Sequence, residues 1–308
     1  MVPQEVGRVI FGSLYLFLSL AVLPLYSLII WAFLRVRVFR KHSCYWIMSA
    51  LGAFNCLSLI GMAGLGIRVV IQQPFPVFVE KFLFAIHRFG LTGAHHQACL
   101  LAFNRFSVLT GWIRVPRCFY ITFVTCDCTY IFTLIGMFTT DYAAITYNAE
   151  LATNYYDTTL PWTGFLVDMD VFIGMGLMTA ALLMYIIITV YLVMKRFSLT
   201  TLHRAPISKR EFMILVQGVA EFCFEITLML NATPLVRFIS RNSYVYTGTY
   251  VIYVILGTGW MCPMMYVLMN RNLRRELIVI FKRVSTVKVR SSNRIFTSQS
   301  SSYGTHQT

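Results

Sequence analysis

Hydropathy along this chain comes in blocks. Apolar stretches at residues 9–34, 45–70, 82–109, 118–139, 164–194, 212–230 and 244–269 alternate with short polar segments. Each stretch reaches about 20 residues or more, the length a helix needs to cross a hydrocarbon core of about 30 Å. In lipid only helices and closed barrels satisfy every backbone group. Barrel strands run about 10 residues with alternating polarity, so these longer runs predict helices. The expected fold class is all-α, a seven-transmembrane helix bundle over residues 1–270. Beyond it Leu273, Leu277, Ile280 and Phe281 recur at helical spacing among Arg274, Arg275, Lys282 and Arg283. That pattern predicts an amphipathic helix over 271–283 lying on an anionic inner leaflet. Residues 284–308, rich in Ser and Thr, are expected to be a disordered cytoplasmic tail.

Composition agrees with lipid as the solvent. The chain has 308 residues, 57% hydrophobic and 12% charged, with a mean hydropathy of +0.67. A soluble domain carries about 25% charged residues, so half that density excludes an ordinary soluble enzyme. The net charge of +14 would suggest nucleic acid if the bases formed one face. They lie instead in short runs between apolar segments, so no nucleic-acid partner is expected.

The bases also set the orientation. The first, third and fifth connections hold four (Arg35, Arg37, Arg40, Lys41), three (Arg105, Arg114, Arg117) and five (Lys195, Arg196, Arg204, Lys209, Arg210), and the tail holds eight. Arg8, Arg68, Lys81, Arg88, Arg237 and Arg241 fall on the other side or at outer span ends. The positive-inside rule places the N-terminus outside and the tail in the cytoplasm. The first span, stopped by four bases and lacking a small-residue cleavage site, is expected to act as an uncleaved signal anchor. With only residues 1–8 before it, no outer ligand-binding domain is expected. An odd span count without an internal repeat weighs against most transporters.

Candidate chemistry lies inside the membrane, where charge is expensive and suggests function by default. His87, Arg88, His95 and His96 fall on the third span, Asp127 on the fourth, Asp168 and Asp170 on the fifth, and Glu221 and Glu225 on the sixth. His87, Arg88, Asp168 and Asp170 lie near outer span ends and are expected to face the entrance of a cavity. Glu225 falls at a mid-depth similar to that of His95 and His96, and a Glu225–His pair is expected. The competing reading is a structural network in which acids and bases neutralise one another. The outer loop 140–163 holds Asp141, Glu150 and Asp157 with five aromatic residues and no Lys or Arg. It reads either as a solvated acidic loop or as a lid over a small-molecule cavity. The eight cysteines have no zinc spacing and read as buried free thiols. No metal, cofactor or catalytic constellation has supporting context, so no enzyme is expected.

The third span ends in Asn104-Arg105-Phe106, about 22 residues or roughly 33 Å from its outer start, so Arg105 emerges at the inner face. A cation there must snorkel, pair or insert between helices. The seventh ends in Cys262-Pro263-Met264-Met265-Tyr266, followed by Asn270-Arg271-Asn272-Leu273-Arg274. Pro263 breaks a helical bond and supplies a hinge or kink. This combination resembles rhodopsin-like seven-helix receptors, and within them the nematode serpentine chemoreceptors of class x or class t. Arg105, Pro263 and Tyr266 match the general pattern. Asn104 stands for the usual acid and Cys262 for the usual Asn, and the outer loop lacks the usual clamping cysteine. The resemblance implies a plasma-membrane receptor that binds a small molecule and activates a heterotrimeric G protein through Asn104, Arg105, Pro263 and Tyr266. A transporter or ligand-gated channel using the intramembrane Asp, Glu and His is the alternative. An N-terminal epitope tag should be reachable on intact cells and a C-terminal tag only after permeabilisation. Both tags on one side would overturn the odd span count.

Overall fold

The computed structural model describes residues 4–202, eight positions between 216 and 227, and residues 244–280. In chain order it contains α1 (Gln4–Arg35), the one-turn α2 (Arg37–Arg40), α3 (Ser43–Ile71), α4 (Val77–Thr110) and α5 (Arg117–Phe138). A two-stranded antiparallel hairpin follows, β1 (Ile145–Asn148) against β2 (Thr153–Tyr156), with Ile145 opposite Tyr156. Then come α6 (Thr163–Leu202), α7 (Tyr244–Val254), a π-helical segment Ile255–Met261, and α8 (Cys262–Met269). Residues 271–280 are helical, as are the eight described positions of the sixth predicted span. Glu221, Glu225, most of the basic fifth connection and the tail 284–308 lie outside the described residues.

Among the described residues five segments are long and apolar enough to cross a membrane: Glu5–Arg35, Ser43–Ile71, Arg117–Phe138, Thr163–Lys195 and Val245–Met269. α4, at 34 residues, is long enough but too polar. Its position explains this. α4 packs against α3, α5, α6 and β1 and is buried along both its apolar and its polar residues. A helix shielded from lipid by its neighbours has no need of an apolar surface. The outer ring shows the converse: Phe172 on α6 is 80% exposed and Phe17 on α1 is 68% exposed, natural only where lipid is the surroundings.

The α3–α4 seam is closed by small residues. A Cβ at Gly90 would sit 2.7 Å from the Ser58 backbone nitrogen, and one at Gly61 would sit 2.7 Å from the His87 backbone nitrogen. Close backbone approach of this kind drives helix association where no hydrophobic effect separates helix from lipid. A second apolar cluster, including Cys99, Ala102, Phe106, Ala181, Tyr185 and Ile188, joins the inner halves of α4 and α6.

Three expectations need amendment. All eight cysteines are free, but Cys118, Cys126 and Cys223 are exposed, not buried, because they fall on outward helix faces. The outer loop folds as a hairpin, with Ala143, Ala144, Ile145 and Ala152 buried, so it is not a merely solvated segment. Pro263 is met by the π-helical stretch just before it. A proline leaves a carbonyl of the preceding turn without its N–H donor, and the wider winding accommodates that loss.

Gly61→Leu should lower the thermal midpoint of the purified protein by the equivalent of about 1–3 kcal/mol or more, through overpacking of the seam. Gly136→Ala, where a Cβ meets nothing within 4 Å, should leave it unchanged.

Candidate functional site

α4 places Arg88, Thr92 and His96 at intervals of four, one above the other on one face. Opposite them stand Asp127 and Tyr130 of α5 and Asp170 of α6. At the outer end, Arg88 Nη2 pairs with Asp170 Oδ2 at 3.7 Å, and Thr92 Oγ1 donates to the same oxygen at 3.2 Å. Asp170 is 3% exposed, so its charge depends on these partners. Arg88 Nε also donates to the Tyr156 hydroxyl of β2, and the guanidinium lies 5.7 Å from the centre of that ring. One cation thus joins the hairpin, α4 and α6.

Two turns deeper, both oxygens of the buried Asp127 are taken. His96 Nδ1 donates to Oδ1 at 2.6 Å and Gln97 Nε2 to Oδ2 at 2.5 Å. The Tyr130 ring stacks on His96 at 5.9 Å, within electrostatic reach of both Asp127 and Asp170. Tyr130 therefore links the outer and deeper clusters. His96 Nε2, Gln97 Oε1, Tyr130 OH and Asp170 Oδ1 are buried without a hydrogen-bond partner among the described residues. Such groups mark a place for water or a polar ligand.

The hairpin is held against the bundle by charge and aromatic contact. Lys81 Nζ binds Asp141 Oδ1 at 3.0 Å and the Thr140 carbonyl at 2.7 Å. Arg68 pairs with Glu80 at 3.2 Å and stacks 4.4 Å above the Tyr147 ring. Burial pushes the Tyr147 phenol above its ordinary pKa, against the pull of the Arg68 and Arg8 charges.

Of the other predicted residues, His87 turns toward α3, with Nδ1 3.0 Å from Ser58 Oγ. His95 is half-buried on another side of α4, and Asp168 is exposed two positions from the buried Asp170. Asp168 therefore does not join the cluster. Glu225, and with it the Glu225–His pair, lies outside the described residues.

At the inner end Asn104 and Arg105 are both buried. Arg105 Nη1 donates to the Tyr185 hydroxyl of α6 at 2.8 Å. A Cβ at Gly218 would collide with that guanidinium and with the Tyr185 ring, so the sixth span passes directly against the pair. Tyr266 is 1% exposed and packs 6.0 Å from Phe33 of α1. Between the two ends, Asn55 Nδ2 donates to the Tyr26 hydroxyl at 3.0 Å, which donates to the Thr258 carbonyl in the π-helical segment at 2.6 Å. A cavity of about 20 Å³ lies beside Asn55, Cys99, Tyr185 and Cys262, room for about one water.

Thr92, Gln97, Tyr130, Tyr156 and Tyr185 are neutral partners, which intramembrane charge in the sequence does not mark. Only the four-residue spacing from Arg88 pointed toward Thr92.

No family model matches the chain, and no curated protein matches it by sequence. Among solved structures it is similar to squid rhodopsin, with a TM-score of 0.72 and 11% identity over 93% of this chain and 88% of that one. The fold is therefore the rhodopsin-like seven-helix bundle, the architecture of G-protein-coupled receptors.

Tyr156→Phe should free β2 from Arg88. Hydrogen bonds to charged groups contribute about 1.5–3 kcal/mol, so amides of residues 145–156 should exchange roughly 10–100 times faster while those of α4 stay protected.

Proposed function

We propose that this protein is a G-protein-coupled receptor of the plasma membrane, a chemoreceptor of the nematode serpentine kind. A small molecule binds in the outer half of the bundle beneath the hairpin, and a heterotrimeric G protein couples at the inner face. The observation that carries this reading is the layout of α4. One helix bears the lid-linked Arg88 cluster at its outer end and the buried Arg105–Tyr185 bond at its inner end. The four unpartnered buried polar atoms beside Thr92 and His96 suit a small ligand with hydrogen-bonding groups. The Asn104-Arg105-Phe106 triplet and the Asn270-Arg271-Asn272-Leu273-Arg274 run support the receptor class.

In this mechanism ligand contact with Asp170, Arg88 or His96 shifts the relative positions of α4, α5 and α6. Arg105 then leaves Tyr185 and enters the opening between the inner helix ends, where it meets the G protein. A ligand shifts such an equilibrium only by its differential affinity for the two states, so the orphaned polar atoms are where that difference arises.

Arg105→Ala should cut nucleotide exchange on an added heterotrimeric G protein by about 5–150-fold, the range of a coupling of roughly 1–3 kcal/mol, with surface protein unchanged. Asp170→Asn should lose response to a screened agonist while surface expression persists. Lost expression with a normal response per receptor would make the cluster structural. Ion or proton flux through bilayers holding the purified protein, without nucleotide exchange, would favour a transporter or channel.

A further inference from the structure

The inner face carries a charged feature that the switch at Arg105 does not use. α2 is a single turn pinned by Phe39, which is fully buried with its ring 5.6 Å from Phe33 and 4.8 Å from Tyr45. That anchor fixes the turn and leaves Arg37 and Arg40, three residues apart, exposed. Lys41 follows directly, and Arg117 opens α5 across from them. These four bases line an open cleft of about 330 Å³.

Nothing in the described surroundings neutralises them. None of the four is in an ion pair among the described residues. Of the 12 acids in the chain only Glu211 and Glu276 fall on the inner connections and the tail. The first turn of α5 holds no acid, and its N-cap, Pro116, makes no side-chain capping bond. The positive end of that helix dipole therefore adds to the four charges. Like charges gathered in one cleft repel one another, and an anion between them relieves the repulsion. Three of the four bases are arginines, whose planar fork suits phosphate oxygens.

Depth and polarity identify the source of the anion. α1 ends at Arg35, α3 begins at Ser43 and α5 begins at Arg117, so the cleft lies where spans meet the headgroup layer. Val38, between the two arginines of α2, is 55% exposed, an apolar contact suited to an acyl chain rather than to water. We propose that Arg37, Arg40, Lys41 and Arg117 bind the phosphorylated headgroup of an anionic inner-leaflet lipid of the polyphosphoinositide class.

The full chain in phosphatidylcholine nanodiscs doped with phosphatidylinositol bisphosphate tests this, with displacement of a fluorescent analogue of that lipid as the readout. The triple variant Arg37→Gln, Arg40→Gln, Lys41→Gln should bind on the order of a hundredfold more weakly, from roughly fivefold per base. A control that removes as many exposed inner bases, Arg114→Gln, Arg271→Gln, Arg275→Gln, should lose at most about threefold. Thermal unfolding verifies that both remain folded, and Arg117→Gln alone, with an expected loss of about fivefold, replaces the triple variant if that one does not. Equal losses in the two sets, or none in the first, would overturn the proposal. Soluble inositol trisphosphate binding the detergent-purified protein as tightly as the lipid would overturn the lipid as the source.

Discussion

Hydrocarbon offers a polar side chain nothing to bond with, and this bundle meets that constraint by concentrating its polar groups on α4. That helix is enclosed by α3, α5, α6 and the hairpin. Its neighbours turn Asp127 and Asp170 inward and present Phe172 and Phe132 outward. Ser58, Asp127, Asp170 and Tyr185 each face a polar residue of α4. The seam glycines follow from the same constraint. Interior polar groups reach one another only if backbones come close, and Gly61 and Gly90 permit that approach.

The hairpin is a consequence of the outer polar groups. Arg88 at the end of α4 needs more than Asp170 to satisfy it, and the Tyr156 hydroxyl and ring supply the remainder. Lys81 with Asp141 and Arg68 with Tyr147 hold the rest of the loop. Rhodopsin-like receptors commonly clamp this loop with a cysteine, which this chain lacks there. Charge and aromatic stacking hold the hairpin here, through Arg88, the residue that also pairs with Asp170.

At the inner end the buried Arg105 is held by its hydrogen bond to the Tyr185 hydroxyl, with the sixth span passing close to both at Gly218. The π-helical turn before Pro263 lies beside this region, tied to α1 and α3 through Tyr26 and Asn55. The π-helical segment runs into α8 at Pro263, and α8 leads to the terminal helix at residues 271–280.

Hydropathy and charge alone determined the membrane class, the approximate helix positions and the presence of buried charge. These follow from run length and from the large free energy of placing a charge in lipid, both local properties of the chain. The rotation of each helix about its axis belongs to the tertiary structure. Asp168 and Asp170 look equivalent in the sequence, yet one is exposed and the other is buried against Arg88 and Thr92, because packing of α6 on α4 selects one face. His87 and His96 separate for the same reason, one to α3 and the other to α5. The partners Tyr156 and Tyr185 carry no charge to mark them, and only the assembled bundle brings their hydroxyls to Arg88 and Arg105.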